Sequence, residues 1–389
     1  MGKLVTLVIA LLLAMVVFFV YINNRPMETN TLTAANQSFA FNRRFNNIGA
    51  QSLGEVADPN YLITLPKDHA SHDSFDLEWW YLTSNLQDND GNNYGLQWTL
   101  FRFRKPNIGA IDDVEIQSTW NNEQFYMAHA SVHSDSEHWF SEKFARGGVG
   151  NAGIEKQPLK LFADDWQWVS QTDGLLPARL MFNAKLISNN NKHRYLNVQL
   201  DLSNDGPYVL QGKNGYSIKS ANGEHASHYY SAPFIKLNGT LATAESDNAI
   251  FVKGNAWFDQ EWTSQLFDEA TLGWDWLSLH LDNGDKIMAF RMRLEGQADY
   301  ITGTYIDSKG QSTQLMSEEL ELIAVEEIAV GDKQLPLSWQ LEIESKGIEL
   351  KIKATKDDQW NPASIAYYEG SVMVEGTHKG QGFLELTGY

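Results

Sequence analysis

From Tyr61 to the last residue, apolar side chains come in short runs rich in β-branched and aromatic residues, separated by clusters of Asn, Asp and Gly. No long stretch sustains the 3.6-residue apolar period of an amphipathic helix, so the pattern predicts an all-β chain. Strands are predicted over Trp79–Leu86, Tyr94–Arg104, Tyr195–Leu202, Ile250–Phe258, Trp274–Leu281, Lys286–Leu294 and Gly382–Leu386. The segments Asp88-Asn89-Asp90-Gly91 and Asp282-Asn283-Gly284-Asp285 read as hairpin turns, because Gly supplies the positive φ that a tight turn demands.

Part of this pattern occurs twice. Phe75-Asp76-Leu77-Glu78-Trp79 returns as Phe258-Asp259-Gln260-Glu261-Trp262, and each copy is followed by an aromatic strand, an Asp/Asn/Gly turn and a strand ending in Phe-Arg-x-Arg, at Phe101–Arg104 and Phe290–Arg293. The spacing differs between the copies, so the repeat is one of pattern rather than register. It predicts two up-and-down β-barrels, over 59–240 and 241–389, joined between Pro233 and Asp247. Closing each sheet removes its exposed edges and leaves an interior for side chains or a small ligand.

Upstream lies an uncharged apolar run from Leu4 to Ile22, preceded by Lys3 and followed by Asn23-Asn24-Arg25-Pro26. At ~1.5 Å per residue it is long enough to cross a bilayer. The bulky Val17-Phe18-Phe19-Val20 near its end is unlike the small residues before a signal cleavage site. Residues 1–26 are therefore expected to be a signal anchor, with a cleaved signal peptide as the alternative, and 27–58 a polar linker. This places the body in the cell envelope, extracytoplasmic or periplasmic.

Charge narrows the partners. With 30 Lys plus Arg against 49 Asp plus Glu, a formal charge of -19, the chain lacks the cationic surface that phosphate binding needs, and nucleic acid is excluded as a partner. The absence of Cys removes disulfides, thiolate metal sites and a cysteine nucleophile. Among the histidines, His69 with His72 and His129 with His133 have ligand-like spacing but no evident third ligand, so no metal is expected, nor any cofactor. Gly148-x-Gly150-x-x-Gly153 matches a dinucleotide fingerprint by letters alone and reads as a loop, since no apolar strand precedes it. The 13 Trp are enough to line an apolar pocket as well as a core.

Several longer motifs occur in one order: Leu65-Pro66-Lys67-Asp68-His69, Glu78-Trp79-Trp80-Tyr81, Met127-Ala128-His129-Ala130, His228-Tyr229-Tyr230-Ser231-Ala232-Pro233, Gly254 to Trp262, Gly273-Trp274-Asp275-Trp276, Tyr368-Glu369-Gly370 and Gly382 to Tyr389. In these the chain resembles the family of the AttH proteins, often called predicted secreted hydrolases, and the bacterial carotenoid 1,2-hydratases, or hydroxyneurosporene synthases. The resemblance covers about residues 60–389 and implies two tandem lipocalin-like barrels. It implies catalytic roles for His228, Tyr230, Trp257 and Asp259. The hydratase pattern has Trp where this chain has Tyr230 and Tyr where it has Trp257, so the aromatic character is kept while the phenol has moved.

Trp257, Asp259 and Glu261 alternate along a predicted strand and share a face. If that face points into a barrel, Asp259 is a desolvated acid among indoles, suited to protonating an alkene. His228 could then orient Asp259 or a water, while Trp262, Trp274 and Trp276 would line the ligand site. The competing reading makes Glu78 and Glu261 structural partners of the Arg-x-Arg strand ends. Two functions stay open: a binding protein for an apolar or amphipathic lipid, isoprenoid or carotenoid, beside a membrane transporter as AttH-type relatives imply, and an alkene hydratase. A serine hydrolase is a third, weaker reading, since no Gly-x-Ser-x-Gly elbow is present.

Overall fold

The computed structural model describes residues 54–104, 122–187, 194–243, 249–265 and 270–389. The apolar run at 4–22 and most of the linker lie outside these residues. No described helix is long and apolar enough to cross a membrane. The described chain is all-β, with short 3-10 turns at Lys67–His69 and Glu344–Lys346. All the strands expected from sequence form, and both Asp/Asn/Gly turns are hairpins, with Gly91 at φ 88° and Gly284 at φ 91°.

The strands form two antiparallel sheets, one of 13 strands and one of 10. The first closes on itself. Leu77–Asp88, Asn93–Arg104, Gln124–Ser134, His138–Arg146, Ala178–Leu186, Tyr195–Asn204, Ala226–Thr243 and Ile250–Thr263 pair around a ring in which the last strand returns to the first. The second sheet runs from Ser312–Leu315 at one edge to Glu321–Val330 at the other and curls over its own core. These are the two lipocalin-like units expected, but the junction differs: the first sheet continues through Thr263, and the chain crosses to the second before Thr271, not between Pro233 and Asp247.

The reason lies in the repeated motif. Its two copies are neighbours, with Glu78 opposite Trp262 and Trp79 opposite Glu261, so the second copy is the strand that seals the first barrel against its opening strand. The two copies are therefore adjacent strands of one barrel rather than one strand in each unit, and their matching residues face opposite ways: Glu78 and Trp262 turn inward, Glu261 and Trp79 toward the second sheet.

Three apolar clusters follow from the alternation of side chains. Trp80, Leu82, Trp98, Leu100, Phe258 and Trp262 point into the first barrel, which is packed with side chains. Leu277, Leu279, Ile287, Trp339 and Leu384 do the same for the second sheet. Between the two, the outward faces meet through Tyr81, Tyr229, Trp257, Trp276, Met288, Phe290 and Phe383. Strands at this seam are buried on both faces; Trp80, Tyr81, Leu82, Thr83 and Ser84 are consecutive buried residues.

Candidate functional site

A pocket opens at the seam between the sheets, outside both packed interiors. Trp79, Tyr81, Phe101, Met127 and His129 line it from the first barrel, with Lys219, Tyr229, Asp259 and Glu261. Trp274, Trp276, Met288, Phe290, Met292, Tyr367 and Glu385 line it from the second sheet. It holds about 940 Å³ of empty space, its open mouth included. The space is a slot with mostly apolar walls and a few convergent polar groups, the usual character of a small-molecule site.

Trp257, Asp259 and Glu261 do share one face, and it points out of the first barrel toward the second sheet. Asp259 is 2% exposed. Its Oδ1 accepts from Ser231 Oγ at 2.5 Å and from Trp257 Nε1 at 2.8 Å. Ser231 Oγ in turn accepts from Gln211 Nε2 at 2.7 Å, which fixes its own proton toward Asp259. With Oδ1 engaged by two donors, an acidic proton resides on Oδ2. Burial pushes the carboxyl up to about 7, aided by the Glu261 charge and opposed by hydrogen bonds from Ser231, Trp257 and Tyr229. Near neutrality the group is poised between acid and base.

A second acid faces it from the other sheet. Desolvation pushes Glu385 up to about 7, with the charges of Asp259 and Glu261 adding to the shift, while Trp274 Nε1 donates to it at 2.9 Å. Opposite Glu385 on the neighbouring strand stands Glu369, buried, with Oε2 lacking any hydrogen-bond partner among the described residues. Burial and the Glu385 charge hold Glu369 well above the carboxylate range, so it stays protonated, accepting from Tyr81 Oη at 2.7 Å. Glu261 is instead paired: it accepts from Ser227 Oγ and lies 2.9 Å from Lys219 Nζ, an ammonium held over the rings of Tyr229 and Phe290.

The family-derived set divides between two faces. Asp259 lines the pocket, and Trp257 supports it from behind, packed edge-on against Trp276. His228 and Tyr230 point the opposite way, into the first barrel, because neighbouring residues on a strand alternate and Tyr229 and Ser231 take the seam side. His228 therefore does not orient Asp259. It packs on Tyr61 and Trp262, and burial pushes it down to about 4. Tyr230 donates to Gln260 Oε1 at 2.6 Å and meets His69 Nδ1 at 2.6 Å.

Of the three tryptophans named for a ligand site, Trp274 and Trp276 line this pocket, which lies outside the barrels rather than within one, whereas Trp262 stacks on His72 inside the barrel at 3.7 Å. Glu78 has the structural role foreseen for it, bound to Arg102 and His72; the Arg-x-Arg of the second copy meets Asp275 rather than Glu261. Neither histidine pair converges, since His69 meets Tyr230, His72 meets Glu78, His129 meets Tyr367 and His133 meets Ser371. Sequence reasoning did not single out Glu369, Glu385, Tyr81, Tyr229 or Lys219. The signal for the first two was present: each is an acid whose immediate strand neighbours are aromatic, apolar or small.

The AttH-like family model matches residues 56–389. A protein designated AttH from Nitrosomonas europaea has a similar solved structure, with a TM-score of 0.72 and 27% identity over 86% of this chain and 99% of its own. Kievitone hydratase from Nectria haematococca is similar in fold, with a TM-score of 0.59 and 16% identity over 86% of this chain and 96% of its own. No curated protein sequence matches the chain.

Proposed function

The chain belongs to the AttH-like family, and on that premise we propose that it is a hydratase-like enzyme adding water to an alkene of an apolar or amphipathic small molecule, by acid catalysis in the slot between its sheets. The observation that carries this reading is Asp259: a buried carboxylic acid with a pKa near neutrality, whose Oδ1 is anchored by two donors so that the proton falls to Oδ2. A general acid works best when its pKa lies near the operating pH.

Proton transfer from Asp259 Oδ2 to one alkene carbon leaves a carbocation on the other. Trp79 and Trp276 line the slot with aromatic surface, and the Glu385 carboxyl, when ionised, adds negative potential, which together favour a cation; Glu261 is neutralised by Lys219. Water then forms a bond to the cationic carbon and loses a proton, so that one water is added in all. With the apolar run at 4–22 as a tether, the same proposal puts the pocket in the cell envelope, where isoprenoids and lipids partition. A lipid or isoprenoid carrier is the second reading, supported by the same apolar walls.

Incubation with acyclic carotenoids, shorter terpenoid alkenes and kievitone in water enriched in heavy oxygen tests the proposal. A product gaining a single heavy-oxygen hydroxyl, seen by mass spectrometry, is the expected result. Quenching of tryptophan fluorescence by these compounds without turnover of any would replace the enzyme by the carrier.

A further inference from the structure

The proton that the attacking water loses needs a destination, and a set of polar groups crossing the seam offers one. His129, 1% exposed, stands on the first barrel between two partners: its Nε2 is 2.9 Å from Glu142 Oε1, and its Nδ1 is 3.1 Å from Tyr367 Oη on the second sheet. Ser364 fixes the Glu142 carboxylate with a backbone N–H at 3.0 Å and a hydroxyl at 2.7 Å. Phe101, Phe140 and the Tyr367 ring pack around the imidazole.

These contacts determine the tautomer. Glu142 is held in the ionised form by His129 and Ser364, and an ionised carboxylate only accepts, so the imidazole proton is on Nε2. Burial keeps His129 neutral, so Nδ1 is a bare acceptor and the Tyr367 hydroxyl donates to it. Tyr367 is on the pocket wall, so its oxygen, which also meets the Asn361 side chain, can accept from whatever occupies the slot. Glu142 lies at the other end, part-exposed, beside the exposed Ser364. The arrangement is the carboxylate–imidazole–hydroxyl logic of activated nucleophiles, with a phenol in the terminal place.

We propose that Glu142, His129 and Tyr367 form a proton relay from pocket to solvent, in which Tyr367 takes the proton of the attacking water and His129 and Glu142 are its positioning residues. This rests on the hydratase reading. As the new C–O bond forms, the water proton passes to Tyr367 Oη while the phenol proton passes to His129 Nδ1. The phenol is never left ionised, which matters because burial, with the nearby Glu385 carboxyl, makes its free ionisation costly. The resulting imidazolium is stabilised by Glu142 and releases its Nε2 proton through that carboxylate to solvent. The hydroxyl stays on the substrate carbon and Asp259 is left to be reprotonated. His129, left with its proton on Nδ1, regains the Nε2 proton from solvent through Glu142 as Nδ1 returns its own to Tyr367 and Tyr367 gives its second proton to water once product has left, so atoms and charge balance over the cycle.

Nuclear magnetic resonance of the full chain labelled with nitrogen-15 in histidine, with His129 assigned by comparison with His129→Gln, tests the relay without a substrate. A neutral ring protonated on Nε2 is expected; a proton on Nδ1 overturns the relay whatever else is observed. Kinetics on an alkene that the wild type hydrates provide the second arm. Tyr367→Phe and His129→Gln should each lower kcat by about 10²-fold with KM little changed, and the double variant should be no worse than either, as for residues that act as a unit. Unchanged kcat in Tyr367→Phe, or additive losses, overturns the relay while leaving Asp259 chemistry intact. If the wild type hydrates no compound, the hydratase reading falls and the tautomer alone decides whether the acceptor geometry exists.

Discussion

Asp259→Asn is expected to lower hydration by 10²–10⁴-fold, the range for losing a general acid, and at the same time to make the protein more stable above neutral pH. The amide keeps the size of the side chain, and its carbonyl can still accept from Ser231 and Trp257. What disappears is the acid. The stability gain follows from linkage: burial raises the folded-state pKa from 3.8 to about 7, so between these values the folded chain holds a proton that the unfolded chain has released. Stability contributed by this group is therefore greatest at low pH and declines as pH rises toward 7, beyond which the full cost of a buried charge is present. At ~1.4 kcal/mol per pKa unit this cost is a few kcal/mol. Asparagine removes it. Thermal melts at about pH 4 should barely separate the two proteins, whereas melts at about pH 8 should place the variant higher. A variant less stable at every pH would mean that Asp259 is a structural anchor, and would remove the acid on which the proposed function depends.

Arg102→Met is expected to cost about 3–5 kcal/mol, the effect of leaving one member of a buried ion pair without its partner. Arg102 and Glu78 are both fully buried. The guanidinium donates to Glu78 at 3.1 Å, to Gln124 at 2.6 Å, and to the backbone carbonyls of His72 and Phe75 at 2.9 Å each. Glu78 also accepts from the His72 ring, its backbone N–H and Gln260. Removing the arginine therefore takes one of two cationic partners from the buried Glu78, which keeps His72, and leaves the His72 and Phe75 carbonyls without this donor. Urea unfolding provides the measurement. Arg179→Met, which breaks the exposed pair with Asp201 at 2.8 Å, is the control and should cost less than about 1 kcal/mol. Equal losses from the two would show that the buried network contributes no more than a surface pair.

The strands and their turns were legible because alternation and Gly-bearing turns are local properties. Pairing between distant strands was not. Nothing within Phe258 to Trp262 says that it lies beside Phe75 to Trp79, and two similar segments read equally well as neighbours or as equivalents in separate units. The boundary was misplaced for that reason. Period two showed that Trp257, Asp259 and Glu261 share a face, but not that the face is turned outward. Both faces of that strand are buried here, so burial cannot separate them. The same parity places His228 and Tyr230 on the far side from Asp259, a division that a linear motif conceals. Glu369 and Glu385 went unremarked because they become a pair only when their strands align.

That parity bears on how such a protein can change. Along Ile250–Thr263, Ala256, Phe258 and Trp262 belong to the barrel interior, with Gln260 in the hydrogen-bond network there, while Trp257, Asp259 and Glu261 belong to the cleft. Two inheritances are interleaved residue by residue on a single strand. Descendants can exchange one ligand for another by rewriting every second letter, while the intervening letters conserve the scaffold. Across lineages, the ligand set would diverge at one tempo and the barrel at a slower one, and a sequence comparison averaged over the whole strand would blur both.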